Sequence, residues 1–268
     1  MRWGAAESWA GREIGSRGYL PHQLQAQNTI LLGAGALGSA LAELLVRAGL
    51  RNLTILDADR LRAGNLVRHT LLLQDLEKGK SERLADRLNE ASPHAHVEAR
   101  LEDFPPNSDE VLKRCAEADL VIDCTADQDV LSHLQDFEWK EECLLTSFAL
   151  NLGASRLYCF GVRGGSFSSE TYKKALNPWI CDDRKSRDLA NLPREGLGCW
   201  HPVFPARADD IWLMASVAMK FLERAVRVSS SRPDFAVFEC SVAQDGSFLG
   251  IARRGDPPGG ADKDPCNS

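Results

Sequence analysis

Short apolar runs and helical stripes alternate along much of this chain. Residues 28–33 and 52–57 are continuous apolar runs, and between them residues 36–49 place Leu37, Leu41, Leu44, Leu45 and Ala48 on one face of a helical period. The pattern recurs with a helix after Gly79 that turns Leu84, Ala85 and Leu88 inward and stops at Ser92-Pro93, then a strand over about 96–101. Ser108 caps a further helix to about Ala118, ahead of the apolar run Asp119 to Cys124. Residues 127–139 read as helix, and 143–149 and 154–161 as strands. Strands that are apolar on both faces need cover on both, which crossover helices supply, so a doubly wound, mostly parallel α/β sheet is expected.

The period then breaks. Residues 163–205 are rich in Gly, Ser, Asp, Arg and Pro and read as a long crossover loop, a feature that is usually functional inside a compact domain. A helix over about 209–228 follows, with Ile211, Met214, Ala215, Ala218, Phe221, Leu222 and Ala225 on one face. Residues 235–240 and 246–251 flank Asp245-Gly246 as a hairpin, which adds antiparallel C-terminal strands. The expected layout is an N-terminal helical segment over 1–27, a core over 28–162, the crossover loop over 163–205, a helix and hairpin over 206–253 completing the same domain, and a disordered tail over 254–268.

At 268 residues and 44% hydrophobic, the chain can bury a sizeable core. A net charge of −6 without a basic run argues against a general nucleic-acid or membrane-surface binder, and no apolar stretch approaches a membrane span. The N-terminus has no apolar core of signal-peptide length, so a cytoplasmic protein is expected. The eight cysteines lie far apart with no C-x-x-C pair, which removes the usual ligand spacing for a structural zinc.

The first apolar run leads into Gly33-Ala34-Gly35-Ala36-Leu37-Gly38 and then a helix. This G-x-G-x-x-G is a Rossmann-like phosphate-binding start. Gly33 permits the tight turn, Gly35 lets backbone N–H groups approach a phosphate, and Gly38 lets the helix lie close to its strand. Asp57, at the end of the second run, is spaced to bond ribose hydroxyls, the alternative being a solvated acid in a turn; Asp59 is a second candidate. A polar series follows: Asn65-Leu66-Val67-Arg68, then Gly79-Lys80-Ser81-Glu82. A nicotinamide-dependent dehydrogenase would explain the glycines and Asp57 but would leave Asn65, Arg68 and Lys80 idle.

Strand, G-x-G-x-x-G, D-x-D, N-L-x-R and G-x-K-S-E in this order resemble the adenylating domain of the ThiF/MoeB and ubiquitin-activating-enzyme superfamily over roughly the first half of the chain. The resemblance implies ATP, magnesium and a carboxylate substrate, usually the C-terminal glycine of a ubiquitin-like protein. It implies that Arg68 and Lys80 contact the phosphates with Asn65 beside them, a fork and a point charge that both offset developing negative charge. His69 stands where the family usually has Gln. The family's metal-binding Asp falls at Ala126, with Asp127 and Asp129 adjacent; Asp127 is the favoured magnesium ligand, and the alternative is that it caps the next helix. Family members often complete the site with an arginine from a partner's N-terminal helix, which makes Arg12 and Arg17 candidates in a homodimer, with surface ion pairing as the alternative.

In ubiquitin-activating members a cysteine after a long crossover loop attacks the acyl-adenylate. Cys199, in Gly196-Leu197-Gly198-Cys199-Trp200-His201, is so placed, and His201 is near enough in sequence to lower its pKa or take its proton, the alternative being an inert thiol packed beside Trp200; Cys181 is the second candidate. With no zinc tetrad and a nucleophile-like loop, the chain is similar to bacterial ubiquitin-like-protein activating enzymes, which implies a separate conjugating enzyme as partner. Adenylation without a thioester, as in sulfur-carrier, peptide or tRNA-base activation, stays open, as does a pseudoenzyme that only binds nucleotide.

Overall fold

Asn28–Leu32 (β1) is buried along four of its positions and is flanked by parallel strands on both sides, so the sheet grows outward from it. The computed structural model describes residues 8–185, 205–228 and 230–255. In chain order the elements are α1 (Gly11–Gly15), α2 (His22–Gln25), β1, α3 (Ala36–Arg47), β2 (Asn52–Leu56), α4 (Lys80–Ala91), β3 (His96–Arg100), α5 (Asp109–Ala116), β4 (Leu120–Asp123) and α6 (Gln128–Asp136). They continue with β5 (Leu144–Leu150), β6 (Arg156–Arg163), α7 (Ser169–Lys185), α8 (Ala208–Arg227), β7 (Asp234–Val242) and β8 (Phe248–Arg254).

The sheet has eight strands in the order β3-β2-β1-β4-β5-β6-β7-β8. Pairings from β3 to β5 are parallel and those from β5 to β8 antiparallel, so the doubly wound α/β sheet with antiparallel C-terminal strands is what forms. The apolar stripes decide the layers. Leu41 and Leu45 of α3, Leu84 and Leu88 of α4 and Met214 and Phe221 of α8 share one core with one sheet face. Val111 of α5, Leu131 of α6 and Tyr172 and Trp179 of α7 share a second core with the other.

Several elements depart from the sequence reading. Residues 169–185 form a helix inside the stretch expected to be loop. Pro178 sits within it, and an interior proline costs about 3 kcal/mol in lost bonding and ring clash. Tyr172, Leu176 and Trp179 are buried on one face, at about 2 kcal/mol each, which outweighs that cost. Two short 3-10 turns, Ala63–Asn65 and Leu73–Asp75, were also not foreseen. The expected helix over 127–139 is shorter, ending at Asp136.

The C-terminal end of α7 is fastened to the sheet by one buried cation. Arg156 on β6 bonds Asp183 at 2.9 Å and Glu239 of β7 at 2.7 Å, and also pairs with Asp182. Tyr158 donates to Asp183 as well, and the guanidinium lies 5.5 Å from the Trp179 ring centre. Removing Arg156 strands three largely buried carboxylates. Arg156→Ala should therefore lower unfolding free energy by about 3 kcal/mol or more, read from the denaturant midpoint; a change below about 1 kcal/mol would show the cluster to be solvated.

Candidate nucleotide site

The chain leaves β1 and turns into α3 through Gly33, whose φ of +86° lies in the left-handed region. A Cβ on Gly38 would lie 2.0 Å from the Gly33 carbonyl oxygen, so only glycine lets α3 seat there. A Cβ on Gly35 would meet nothing within 4 Å, and Gly35 is the N-cap of α3. The open side of Gly35 thus faces free space at a helix N-terminus, where backbone N–H groups favour an anion.

Ala34, between these glycines, is held by side chains at both of its backbone groups. Its N–H donates to Asp57 Oδ2 at 2.6 Å, and its carbonyl accepts from His69 Nε2 at 2.6 Å. His69 Nδ1 accepts the Leu71 N–H at 3.1 Å, so the imidazole is neutral with its proton on Nε2. Burial holds the His69 pKa down at about 4, with the nearby Lys80 and Arg68 charges adding to the effect. Asp57 Oδ1 accepts the Asp59 N–H at 2.8 Å, and burial raises the Asp57 carboxyl against the pull of Lys80. Asp57 is therefore a buried tie between β2 and the glycine turn, and each of its oxygens retains a second acceptor position.

Lys80 opens α4 with a side chain only 10% exposed, and its Nζ lies 2.7 Å from Asp59 Oδ2. It is a wall common to three adjoining hollows of about 260, 370 and 300 Å³ at the C-terminal ends of β1, β2 and β4. The first also takes Gly35, Asn65, Arg68, His69 and Phe148; the third takes Asp57, Asp59, Asp103 and Asp127. Asn65 Oδ1 accepts the Arg62 N–H at 3.0 Å, which fixes the turn that carries Arg68. The glycines Gly33 and Gly35, Asp57, Asp59, Asn65, Arg68 and Lys80 thus border one groove, while Gly38 acts through packing beneath it.

The loop after β4 forms the opposite bank. Asp123 is fully buried; it accepts from Thr125 N–H at 2.9 Å and from Ser147 Oγ at 2.7 Å, and its carboxyl is raised by burial. Ala126 follows with φ +55°, a conformation that costs a residue without a polar side chain about 1 kcal/mol and that clusters at functional sites. Asp127 caps α6, taking the Asp129 N–H at 2.7 Å, so the capping alternative is seen here. Among the described residues no three His, Cys, Asp or Glu side chains are grouped to hold a metal. The donor set nonetheless suits magnesium, which keeps waters and phosphate oxygens and needs only one or two carboxylates; Asp59, Asp103 and Asp127 border the groove with exposed side chains.

Several expected residues fall elsewhere. Cys199 and His201 lie outside the described residues, as does the side chain of Arg12. Arg17 is exposed at the end of the N-terminal segment and borders none of the three hollows. Cys181, on α7, is disulfide-bonded and not a free thiol, so the second candidate for the nucleophile is not present as a thiol. Burial pushes the Cys124 and Cys159 thiols well up, which makes both poor nucleophiles. The Ala34 tie, Thr125, Asp103 and the strained Ala126 were not anticipated from the sequence. A polar residue in the family's Gln position was the one visible hint, at His69.

The fold is a doubly wound α/β domain with a groove at the carboxyl ends of its parallel strands. The model of the ThiF family matches residues 10–150, and the chain belongs to that family, within the ThiF/MoeB/ubiquitin-activating superfamily. It is 37% identical over 230 residues to an ATP-dependent ubiquitin transferase-like protein Cap2 of Enterobacter hormaechei, covering 84% of this chain and 37% of that protein. It is 38% identical over 107 residues to the molybdopterin-synthase adenylyltransferase of Escherichia coli, covering 38% of this chain and 41% of that protein. The chain thus spans well under half the length of these relatives. A structure of E. coli MccB with AMPCPP and MccA superposes with a TM-score of 0.56 at 14% identity, covering 91% of this chain and 66% of that one, which bears on fold.

Two outcomes follow from the groove. Gly35→Ala has room for its methyl and should fold normally yet lose at least about tenfold in nucleotide affinity, because the methyl occupies the anion's approach. Gly38→Ala should instead lower the melting temperature, since its methyl strikes backbone. Equal melting losses in both variants would overturn this division. The second outcome concerns pH. A histidine whose folded pKa is about 4 against about 6.5 unfolded contributes stability that is full above pH 6.5 and is lost as pH falls toward 4, by up to about 3 kcal/mol. His69→Gln retains the hydrogen bonds without the titration, so the fall in stability between pH 6.5 and 4 should flatten; an unchanged pH slope would remove His69 as its source.

Proposed function

We propose that this chain is an ATP-dependent adenylyltransferase whose substrate is the C-terminal glycine of a ubiquitin-like protein. The observation that carries the reading is the convergence of Lys80 and Arg68 on a groove whose floor is the open face of Gly35. A dehydrogenase has no use for that cation pair, whereas a triphosphate does. Asp127 would hold magnesium, which would supply charge neutralisation on the polyphosphate. Lys80 and Arg68 stabilise the charge that builds as the substrate carboxylate attacks the α-phosphorus and the bond to pyrophosphate breaks. The product is an acyl-adenylate.

In the second step of the proposal the Cys199 thiolate, with His201 taking its proton, attacks the acyl carbon and AMP leaves, giving a thioester for a conjugating enzyme. What supports this step is the name of the Enterobacter relative, a ubiquitin transferase-like protein, over most of this chain. Adenylation alone is the second reading, favoured by the E. coli adenylyltransferase likeness. A homodimer is part of the proposal: Val67, Leu72 and Leu73 are exposed apolar side chains on the segment that carries Arg68, and a partner's Arg12 or Arg17 would complete the phosphate shell.

Pyrophosphate exchange tests the first step. Lys80→Ala should slow exchange about 10² to 10³-fold, as losing one preorganised donor does, with the fold intact. Exchange near the native rate would end the assignment. With a modifier and ATP supplied, Cys199→Ala should keep exchange and lose a thiol-sensitive adduct; no adduct on the native chain leaves adenylation alone.

A further inference from the structure

The opposite end of the sheet carries a hollow of about 390 Å³ that the groove chemistry does not use. Leu144, at the start of β5, borders it, while Leu150, at the other end of β5, borders the nucleotide groove, a separation of roughly 20 Å at the rise of a strand. Arg163, Arg224 and Arg232 line it, in a chain whose net charge is −6. Asp234 is the acid at its rim, and it is shared by Arg224 and Arg253. Among the described residues, no carboxylate is paired with Arg163 or Arg232. Arg163 donates one Nη1 bond to the Glu142 carbonyl at 2.6 Å, but its Nε is buried with no partner. A buried donor left unmade costs about 1 to 3 kcal/mol, so Arg163 is held in this wall at a cost. Val162, Val228 and Phe235 form an apolar wall beside these cations.

We propose that this hollow is a second binding site, separate from the nucleotide groove, which takes an oxyanion joined directly to an apolar body. The guanidinium groups of Arg163 and Arg232 receive the phosphate or carboxylate. The apolar body lies on Val162, Val228 and Phe235. The site rests on geometry independent of the adenylation reading, and its failure leaves that reading untouched.

Titration calorimetry of the full chain with phenyl phosphate, in the presence of saturating ATP, tests the proposal, with phenylacetate and inorganic phosphate as parallel arms. Phenyl phosphate should bind with ATP present, and Arg163→Gln and Arg232→Gln should each weaken it at least about tenfold, the loss of one charge-assisted hydrogen bond, without altering ATP affinity. Arg232 is exposed, so its variant keeps the test valid even where Arg163→Gln lowers the melting temperature. Tighter binding of phenyl phosphate than of phenylacetate assigns a phosphate ester as the natural group, and the reverse assigns a carboxylate; either supports the site. Displacement of phenyl phosphate by ATP, affinity unchanged in both variants, or inorganic phosphate binding as tightly as phenyl phosphate would overturn it.

Discussion

Ala34 is the point on which the groove depends, because both of its backbone groups are committed to side chains from other parts of the chain. Asp57 reaches it from the end of β2, and His69 reaches it from the turn that carries Arg68. The glycine turn, the second strand and the cation-bearing segment are thereby fixed relative to one another. Without those two bonds the Gly33-to-Gly35 stretch would be a flexible loop, and the N–H groups of α3 would have no defined aim. The tie also explains why a buried acid and a buried neutral histidine are tolerated here: each oxygen of Asp57 and each ring nitrogen of His69 has a partner, and each desolvation cost is offset by those bonds.

The sequence reading placed the parallel core well because its signals are local. Apolar runs such as Leu120 to Asp123 and stripes such as Leu84 and Leu88 carry their period openly, and G-x-G-x-x-G marks the start of α3. The helix over 169–185 was missed because its stabilisation is tertiary. Tyr172, Leu176 and Trp179 have the right spacing, but Pro178 and the surrounding Ser and Asp mask it, and only burial against the sheet overrides the proline. In the site, Gly33, Gly35, Asp57, Asn65, Arg68 and Lys80 were legible through their fixed order. The role of Asp57 as a backbone tie was not, since it depends on a contact across the span from Ala34 to Asp57 that no local pattern records. Ala126 is a further case: nothing in Asp123 to Asp129 announces a left-handed alanine.

The position of the groove follows from topology. β1 pairs with β2 on one side and β4 on the other, so the connections leaving β1 and β4 diverge to opposite faces of the sheet. A crevice opens where they part, at the carboxyl ends of the strands. Gly35 stands on one side of it and Thr125 on the other, and a Cβ on Gly33 would lie 3.0 Å from the Thr125 side chain. The two banks therefore touch beneath the groove and separate above it, which leaves a narrow floor of backbone with side-chain chemistry confined to the rims.

Lys80 shows how such a rim can be both ordered and responsive. Its stem is buried and its ammonium is paired with Asp59, whose own side chain is 75% exposed. A pair with one partner in water contributes at most about 1 kcal/mol, so Asp59 orients the ammonium without holding it strongly. A phosphate oxygen competing for the same ammonium would meet a preorganised donor with little to break. Arg68, on a turn fixed by Asn65, presents the second cation from the other rim. Orientation by a weak, exchangeable carboxylate is therefore an arrangement that keeps this groove structured by its own charges and would let it yield them to an incoming anion.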